Sequence, residues 1–418
     1  FPNSLKAGLA HYPSALLPHS EQYATHGDQV QQCIDAAHPE GIEVHVWKVN
    51  WNLNRAPQDF IDGMRAAERT QVSASGEPID WLCPSHPDNH ALERDSMLEV
   101  LQNYDVEGLH FDYIRYPGPD YCYCDGCRTR FEQETGNTVT DWPADVRAGG
   151  PLEDEFLPWR RLQITELVEA VYHAAKAIDP DVRMSAAVYG DYDLAFGNVG
   201  QDWVRWIDLG IIDTLFPMDT TRDYDEFRQL VSEQMAYAAG RIPIHPGIGV
   251  RNDRTQLSSD EVLAQIDITR THGTGGYILF QLDIDLELDI LPSLALGATR
   301  PEGAGEIPGG SLVLGKSASG SLELGWGSTC DPLAGPADYA VYRGTLGAGP
   351  GWTWDHERVI CSTGGNTFAT LPMAVGDHYF LVAPSDTNRE GGTGFSSDGT
   401  ERPSSSAPCA PQARAACP

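Results

Sequence analysis

The first 300 residues alternate short apolar runs with amphipathic stretches of helical period. Residues 43–47 (EVHVW), 108–113 (GLHFDY), 183–189 (RMSAAVY), 213–218 (DTLFPM), 242–250 (IPIHPGIGV) and 276–281 (GYILFQ) read as strands. Between them, residues 28–37, 90–104, 156–178, 224–239 and 259–271 place apolar side chains three and four apart, the spacing of a helix with one buried face. Strand–helix repetition makes a parallel sheet with helical crossovers, and strands this apolar are covered on both faces. The pattern predicts an α/β fold, a (β/α)8 TIM barrel. An open doubly wound sheet is the alternative, but no Gly-rich phosphate loop follows an early strand. Six strands are two short of a closed barrel. Residues 1–3 read as the tail of a further strand, so the first strand and most of the second are expected to lie upstream of Phe1.

Residues 295–310 (ALGATRPEGAGEIPGG) end this pattern and run into a linker. Beyond it the period changes to two. Residues 322–326, 339–343, 367–370 and 378–383 read as short strands of a small antiparallel all-β sandwich. The expected organisation is a barrel over 1–296, a linker over 297–310, a sandwich over 311–402 and a Pro/Ser/Ala-rich tail over 403–418.

Charge narrows the partners. Asp and Glu number 60 against 28 Lys and Arg, a formal net charge of −32. Such a surface repels nucleic acid and anionic membranes, and it disfavours a strongly anionic polymer as substrate. No apolar run is long enough to span a bilayer. Spaced cysteine pairs near the C-terminus, Cys330 with Cys361 and Cys409 with Cys417, suit disulfides and an oxidising compartment: secreted, cell-surface or periplasmic. Cys33, on a helix, reads as a buried thiol.

The densest chemistry is GLHFDYIRYP, residues 108–117, where a buried strand ends in Asp112 followed by Tyr113, Arg115 and Tyr116. Parallel barrels carry their functional side chains at the C-terminal ends of strands. A carboxylate there can attack or stabilise an oxocarbenium-like centre, whereas a structural Asp paired with Arg115 is the alternative. Glycosidases need a second carboxyl group. Asp219, just past the strand 213–218, is the first candidate, with Asp191 and Asp283 behind it. Trp, His, Asn and Lys at strand ends suit sugar binding, which marks His45, Trp47, Lys48 and Asn50, and with them His110, Arg115, Tyr116, Tyr189 and Gln281. A satisfied core His and a packing Trp are the plain alternative.

Cys122, Cys124 and Cys127, in YCYCDGCRTRF, have the spacing of metal thiolates, and Cys83 in the preceding strand–helix loop supplies a fourth. One structural zinc is expected; a disulfide with leftover thiols, or free thiols, are the alternatives. No organic cofactor is expected.

The segment GLHFDYIRYP, preceded by WLCPSHPDNHALERDSMLEVLQNYDVEG, resembles the glycosyl hydrolase-like family 10 of bacterial barrel proteins. AGLAHYPSALLPHSEQY, GIEVHVWKVNWNL, RRLQITELVEAVY and GYILFQLD extend the resemblance over residues 1 to 290. The four cysteines are also similar to the zinc cluster of certain bacterial β-galactosidases, and ADYAVYRG with HYFLVAP resembles a fibronectin type III-like module. The family resemblance implies a polysaccharide substrate and glycan hydrolysis, on an amino-sugar-containing bacterial cell-wall glycan or exopolysaccharide. A non-catalytic glycan-binding barrel is the rival, and an adhesion protein using the barrel as scaffold a weaker third. A second carboxyl group near Asp112 separates the first two.

Overall fold

The computed structural model describes residues 1–284, 286–291, 294, 311–317, 320–329, 338–347, 353–385, 390–393, 402, 403 and 405–410. The chain divides into two compact units, Phe1–Leu286 and Glu287–Pro418.

The strands of the first unit are β1 (Leu5–Lys6), β2 (Leu9–Ala10), β3 (His45–Val49), β4 (Thr70–Val72), β5 (Pro78–Leu82), β6 (Gly108–Asp112), β7 (Arg183–Tyr189), β8 (Thr214–Met218), β9 (Gly247–Gly249) and β10 (Ile278–Phe280). Its helices are α1 (Glu21–His26), α2 (Gln29–Ala37), α3 (Gln58–Ala66), α4 (Pro87–Asn103), α5 (Asp125–Thr135), α6 (Glu153–Ile178), α7 (Tyr192–Asn198), α8 (Trp203–Leu209), α9 (Tyr224–Ala238) and α10 (Ser259–Thr271).

The main sheet runs β10-β9-β8-β7-β6-β3-β1-β2. Every neighbour pair from β10 to β1 is parallel, and β2 turns back antiparallel on β1. The sheet curls as a half-barrel: Trp47 of β3 and Phe280 of β10, five strands apart, meet with ring centroids 6.1 Å apart. β1 pairs with β3 through Leu5 and Lys48, and the Trp47 amide continues that pairing onto the Pro2 carbonyl at 2.9 Å.

All six strands read from the sequence are present, and their packing follows the period of two. Along β6, Leu109 and Phe111 face the helices, while His110 and Asp112 face the interior of the curl. α6 buries Phe156, Ile164, Leu167, Val168, Val171 and Ala175, and each large apolar side chain so buried contributes roughly 1.5–3 kcal/mol. β4 and β5 form a separate antiparallel hairpin beside the main sheet.

The second unit contains β11 (Val313–Lys316), β12 (Leu322–Gly325), β13 (Asp338–Thr345), β14 (Glu357–Ile360), β15 (Phe368–Leu371) and β16 (His378–Ser385). They form two antiparallel three-stranded sheets, β11-β12-β15 and β14-β13-β16. Leu324, Ala369 and Leu371 of one sheet pack with Tyr339, Val341 and Val382 of the other, which makes a small sandwich core. The disulfide corrects the expected pairing: Cys361 bonds to Cys409, with Sγ atoms 2.06 Å apart. Sequence proximity had joined Cys409 to Cys417; in the fold, Ser405 donates to the His356 carbonyl at 2.9 Å and brings the last described segment beside β14. Cys330 and Cys417 lie outside the described residues.

Candidate active site and cysteine centre

β3 and β6 lie side by side in register, with Val49 opposite Asp112. Both chains turn sharply just past these ends: Tyr113 has φ 55° and Trp51 φ 64°, a left-handed backbone that costs a non-glycine residue energy. Such strain, about 1–3 kcal/mol a residue, persists only where surrounding structure imposes it, and it concentrates at functional sites.

The turn sets the site. Asp112 accepts from the Tyr113 amide at 2.7 Å and from the Trp47 indole Nε1 at 3.1 Å. Burial raises its pKa to about 6, against the pull of the Arg115 guanidinium and these two hydrogen bonds. Arg115 is buried too, its Cζ 4.6 Å from the Tyr113 ring centroid and 4.8 Å from that of Tyr189. Tyr189 is held in place by its amide, which donates to Gln201 at 2.8 Å.

Below Asp112 the interior is aromatic. His110 packs edge-on to Trp47 and Phe216, and its Nδ1 lies 2.9 Å from the Ser185 hydroxyl. Burial drives the His110 pKa down to about 3, so the ring is neutral. His45 lies two positions lower, opposite Gly108 and against Phe1, and burial lowers its pKa as well. Phe216 and Phe280 are lining residues that the sequence reading missed; the signal was their place on two of the strands it recognised.

Asp112, Trp47, His110, Arg115 and Tyr189 therefore come together, whereas His45 stands opposite Gly108 at the start of the strands, with Nε2 3.2 Å from Glu43. Lys48, Asn50 and Tyr116 do not join the Asp112 group. Lys48 and Asn50 point to the helix side of β3: Lys48 Nζ is 3.4 Å from Glu93 of α4, and Asn50 donates to the same oxygen at 2.7 Å. Alternation along the strand explains this, since Trp47 faces the interior and its neighbours cannot. Tyr116 is fully buried beneath Arg160, whose Cζ lies 4.3 Å from its ring centroid. Asp191 is an exposed N-cap of α7, accepting from the Leu194 amide at 3.0 Å. Asp283 accepts from the Leu286 amide at 2.9 Å, and Gln281 is exposed.

Asp219 is turned away from Asp112. By alternation from Phe216 it faces the helices, where Gln234 of α9 donates to its Oδ1 at 2.7 Å and to the Gly190 carbonyl at 3.1 Å. Gly190 is required here, because a Cβ at that position would overlap the Asp219 carboxyl group. Asp219 is wholly buried, and burial lifts its pKa far above the usual carboxylate range. A further carboxylate escaped the sequence reading: Asp253, exposed in the loop after β9, acts with Asp112 to raise the pKa of the Tyr113 hydroxyl, which burial already raises. A carboxylate just past a strand (GIGVRND) was the available signal.

The four cysteines converge. Cys83 follows β5, Cys122 and Cys124 lie in the loop after β6, Cys127 is in the first turn of α5, and their sulfurs lie within 4.8 Å of one another. Cys83 Sγ is 3.4 Å from Cys127 and 3.7 Å from Cys124, and all four residues are buried as free thiols. Four sulfurs around one zinc at about 2.3 Å would stand about 3.5–4 Å apart, so the donor set fits a tetrahedral metal. The thiols of Cys122, Cys124 and Cys127 hydrogen-bond toward Cys83 and hold its pKa well below the usual thiol value, while burial pushes Cys122 up. Arg130 donates to Cys83 at 3.6 Å and to Ser85 at 3.0 Å, bringing positive charge to the sulfurs. Aromatic packing holds the loop: Tyr123 stacks on Phe156 of α6 at 5.8 Å, and Trp142 donates to the Tyr123 carbonyl at 2.9 Å.

A curled parallel sheet flanked by helices, with Asp112 at the C-terminal end of a strand, is a half-barrel of the TIM-barrel class. Within that class, the model described as Glycosyl hydrolase-like 10 matches residues 1–232, and the chain belongs to this family. Glycosyl hydrolase DigH of Escherichia coli (strain K12) is 24% identical over 241 residues, covering 50% of this chain and 51% of the relative. Glycosyl hydrolase YngK of Bacillus subtilis (strain 168) is 23% identical over 236 residues, covering 50% and 43%. The chain thus spans about half the length of the curated relatives it matches. Among solved structures, the PgaB (BpsB) glycoside hydrolase domain from Bordetella bronchiseptica superposes with a TM-score of 0.56 at 16% identity, over 69% of this chain and 82% of that one. A β-galactosidase from Bacillus circulans sp. alkalophilus gives 0.50 at 12% identity, over 67% and 45%. These likenesses establish the shared fold.

Proposed function

We propose that the chain cleaves glycosidic bonds in a polysaccharide, with Asp112 as a reacting carboxyl group. The observation that carries this is the Asp112 environment: a carboxyl group at a strand end, its pKa raised to about 6, oriented by two N–H donors beside aromatic side chains. An ionised Asp112 attacks or stabilises the anomeric centre as the leaving oxygen is protonated. Trp47 and Tyr189 offer ring faces to sugars, and His110, neutral at working pH, contributes a ring edge deeper in the cleft. Asp253 is the carboxyl group we assign to the second role, in preference to Asp219. The names of the relatives and of the PgaB domain support glycoside hydrolysis, and an amino-sugar-containing bacterial cell-wall or exopolysaccharide glycan is the substrate we propose to try first. A secreted, cell-surface or periplasmic location suits such a substrate and the Cys361–Cys409 disulfide. Cys83, Cys122, Cys124 and Cys127 would hold one zinc, which supplies a structural clip and no open coordination position. The second unit is proposed as a fibronectin type III-like module.

One observation favours a second reading, a glycan-binding barrel without turnover: Asp219, the expected acid, faces α9. Digestion of a bacterial glycan panel, with products read by mass spectrometry, decides between them. New reducing ends that disappear in both Asp112→Asn and Asp253→Asn support the enzyme and its two carboxyl groups. Binding without any cleavage by the intact chain supports the rival.

A further inference from the structure

Tyr113 holds a conformation that its packing does not explain. Along β6, Leu109 and Phe111 face the helices, and alternation would send residue 113 to the same side. Instead Tyr113 has φ 55°, a left-handed turn that glycine makes freely and an aromatic residue only at a cost. Among the described residues Trp51 is the other aromatic with such a backbone, and its side chain is fully buried, so packing accounts for it. Tyr113 is only half-buried: its ring meets that of Trp81 at 5.5 Å, and the Arg115 Cζ lies 4.6 Å from its centroid. Its hydroxyl makes no hydrogen bond among the described residues. The turn instead aims that hydroxyl at the strand ends that carry the site. Asp112 ends β6, Tyr189 ends β7 and Asp253 follows β9, and all three act on it. Burial and then the Asp112 carboxylate raise its pKa, against the pull of Arg115, so the phenol keeps its proton where Asp112 is ionised.

We infer that Tyr113 is a further catalytic residue, whose hydroxyl donates a hydrogen bond to the glycosidic oxygen as that oxygen departs between Asp112 and Asp253. This rests on the glycan-cleaving reading of the same site. As the glycosidic bond breaks, its electron pair goes to the oxygen, and the proton arrives from the acid partner of Asp112. Negative charge therefore builds on an atom held between the two carboxyl groups, the region that the Tyr113 hydroxyl faces. The phenol is too weak an acid to deliver the proton itself. It supplies a preset dipole for the developing charge, which counts for more in a site shielded from water. With no protein partner to give up, the hydroxyl loses no existing hydrogen bond when the oxygen takes it. The left-handed backbone is then strain kept for function, since a side chain packed on the helix side would need no such turn.

The test is Tyr113→Phe in the intact chain, which removes one oxygen atom and keeps the ring that Trp81 and Arg115 touch. A melting curve like the parent's shows that the variant folds. Turnover is measured on a bacterial glycan oligosaccharide, which has a sugar as leaving group, and on a nitrophenyl glycoside of the sugar whose bond is cut. On the oligosaccharide, kcat should fall by about tenfold to a hundredfold with KM within about twofold, the pattern of an interaction made only in the transition state. On the nitrophenyl glycoside, whose departing oxygen needs little help, the loss should be at least about fivefold smaller. A ring that only packs and supports Arg115 predicts parent rates on both substrates, and that result overturns the inference. An equal loss on both also overturns it, because the hydroxyl would then act somewhere other than at the departing oxygen. In either case cleavage by the parent leaves the glycosidase reading standing. Failure of the parent to cleave either substrate defeats that reading and this inference with it.

Discussion

The Trp47 indole donates to Asp112 Oδ2 at 3.1 Å across the β3–β6 pair, so one strand's aromatic residue orients the next strand's carboxyl group. The Asp112 pKa, raised by burial to about 6, is held from rising further by Arg115, the Tyr113 amide and this indole. An ionised Asp112 is the form that acts on the anomeric centre, so activity should fall as pH drops through about 6. Trp47→Phe keeps a ring but removes the N–H that favours the charged form, and the acid limb should move to higher pH. Rate measured from pH 4 to 8 for both proteins checks this; an acid limb that stays in place separates Trp47 from the titration.

Asp219 is expected to act on stability rather than turnover. Its folded pKa is raised by burial, so the folded state holds a proton that the unfolded state releases above its ordinary value near 3.9. Stability contributed by the protonated form is therefore present at low pH and lost as pH rises toward the folded pKa. Asp219→Asn mimics the neutral acid, and should melt higher than the parent at pH 7–8 and alike at pH 4. Its turnover should stay within about tenfold of the parent, below the roughly hundredfold that a general acid contributes at the least. A loss of several orders of magnitude would return the acid role to Asp219.

Much of this was legible in the sequence, and the exceptions have physical reasons. β7 buries Met184, Ala186 and Val188 with Ser185 between them, so RMSAAVY marked a strand covered on both faces. β9 shrank from the expected 242–250 to Gly247–Gly249, because Pro243 and Pro246 have no N–H to give a ladder. α5 was invisible: its buried residues are Cys127 and Phe131, too few to write a helical period. The cysteine centre was readable because metal spacing is local. Lys48 and Asn50 were not, since alternation shows which residues share a face but not which face lines the cleft.

The Lys48–Glu93 pair supplies a test of that placement. Both side chains are almost wholly buried on the helix side of β3, 3.4 Å apart, with Asn50 completing the contact. Lys48→Met leaves Glu93 as an uncompensated buried charge and should cost about 3–5 kcal/mol. Lys48→Met with Glu93→Leu should recover most of the loss. Urea unfolding measures both, and glycan affinity of the folded double variant should match the parent. A selective loss of affinity in that variant would restore Lys48 to the binding surface.

The cysteine centre makes the last prediction, and it concerns stability apart from chemistry. Cys83 belongs to the loop after β5, the other three cysteines to the segment after β6, so one metal would join two chain segments 39 residues and more apart in sequence. Ordering the loop between Asp112 and α5 costs conformational entropy, and a metal clip offsets that cost with the folding free energy that metal binding supplies. Purified protein should contain about one zinc per chain, the stoichiometry of a four-thiolate site. Removing it with a chelator should lower the melting temperature. Cys83→Ser should lose the zinc and melt lower, while glycan turnover per folded molecule, measured well below the melting temperature, stays close to the parent. Ser85 and Arg130 make the same case from outside the sulfur set: Arg130→Met removes the donor to Cys83 and should weaken zinc retention against a competing chelator without abolishing it. Protein that holds no zinc when purified without chelators, and whose four thiols all react with an alkylating reagent under native conditions, would show that the sulfurs meet for packing alone.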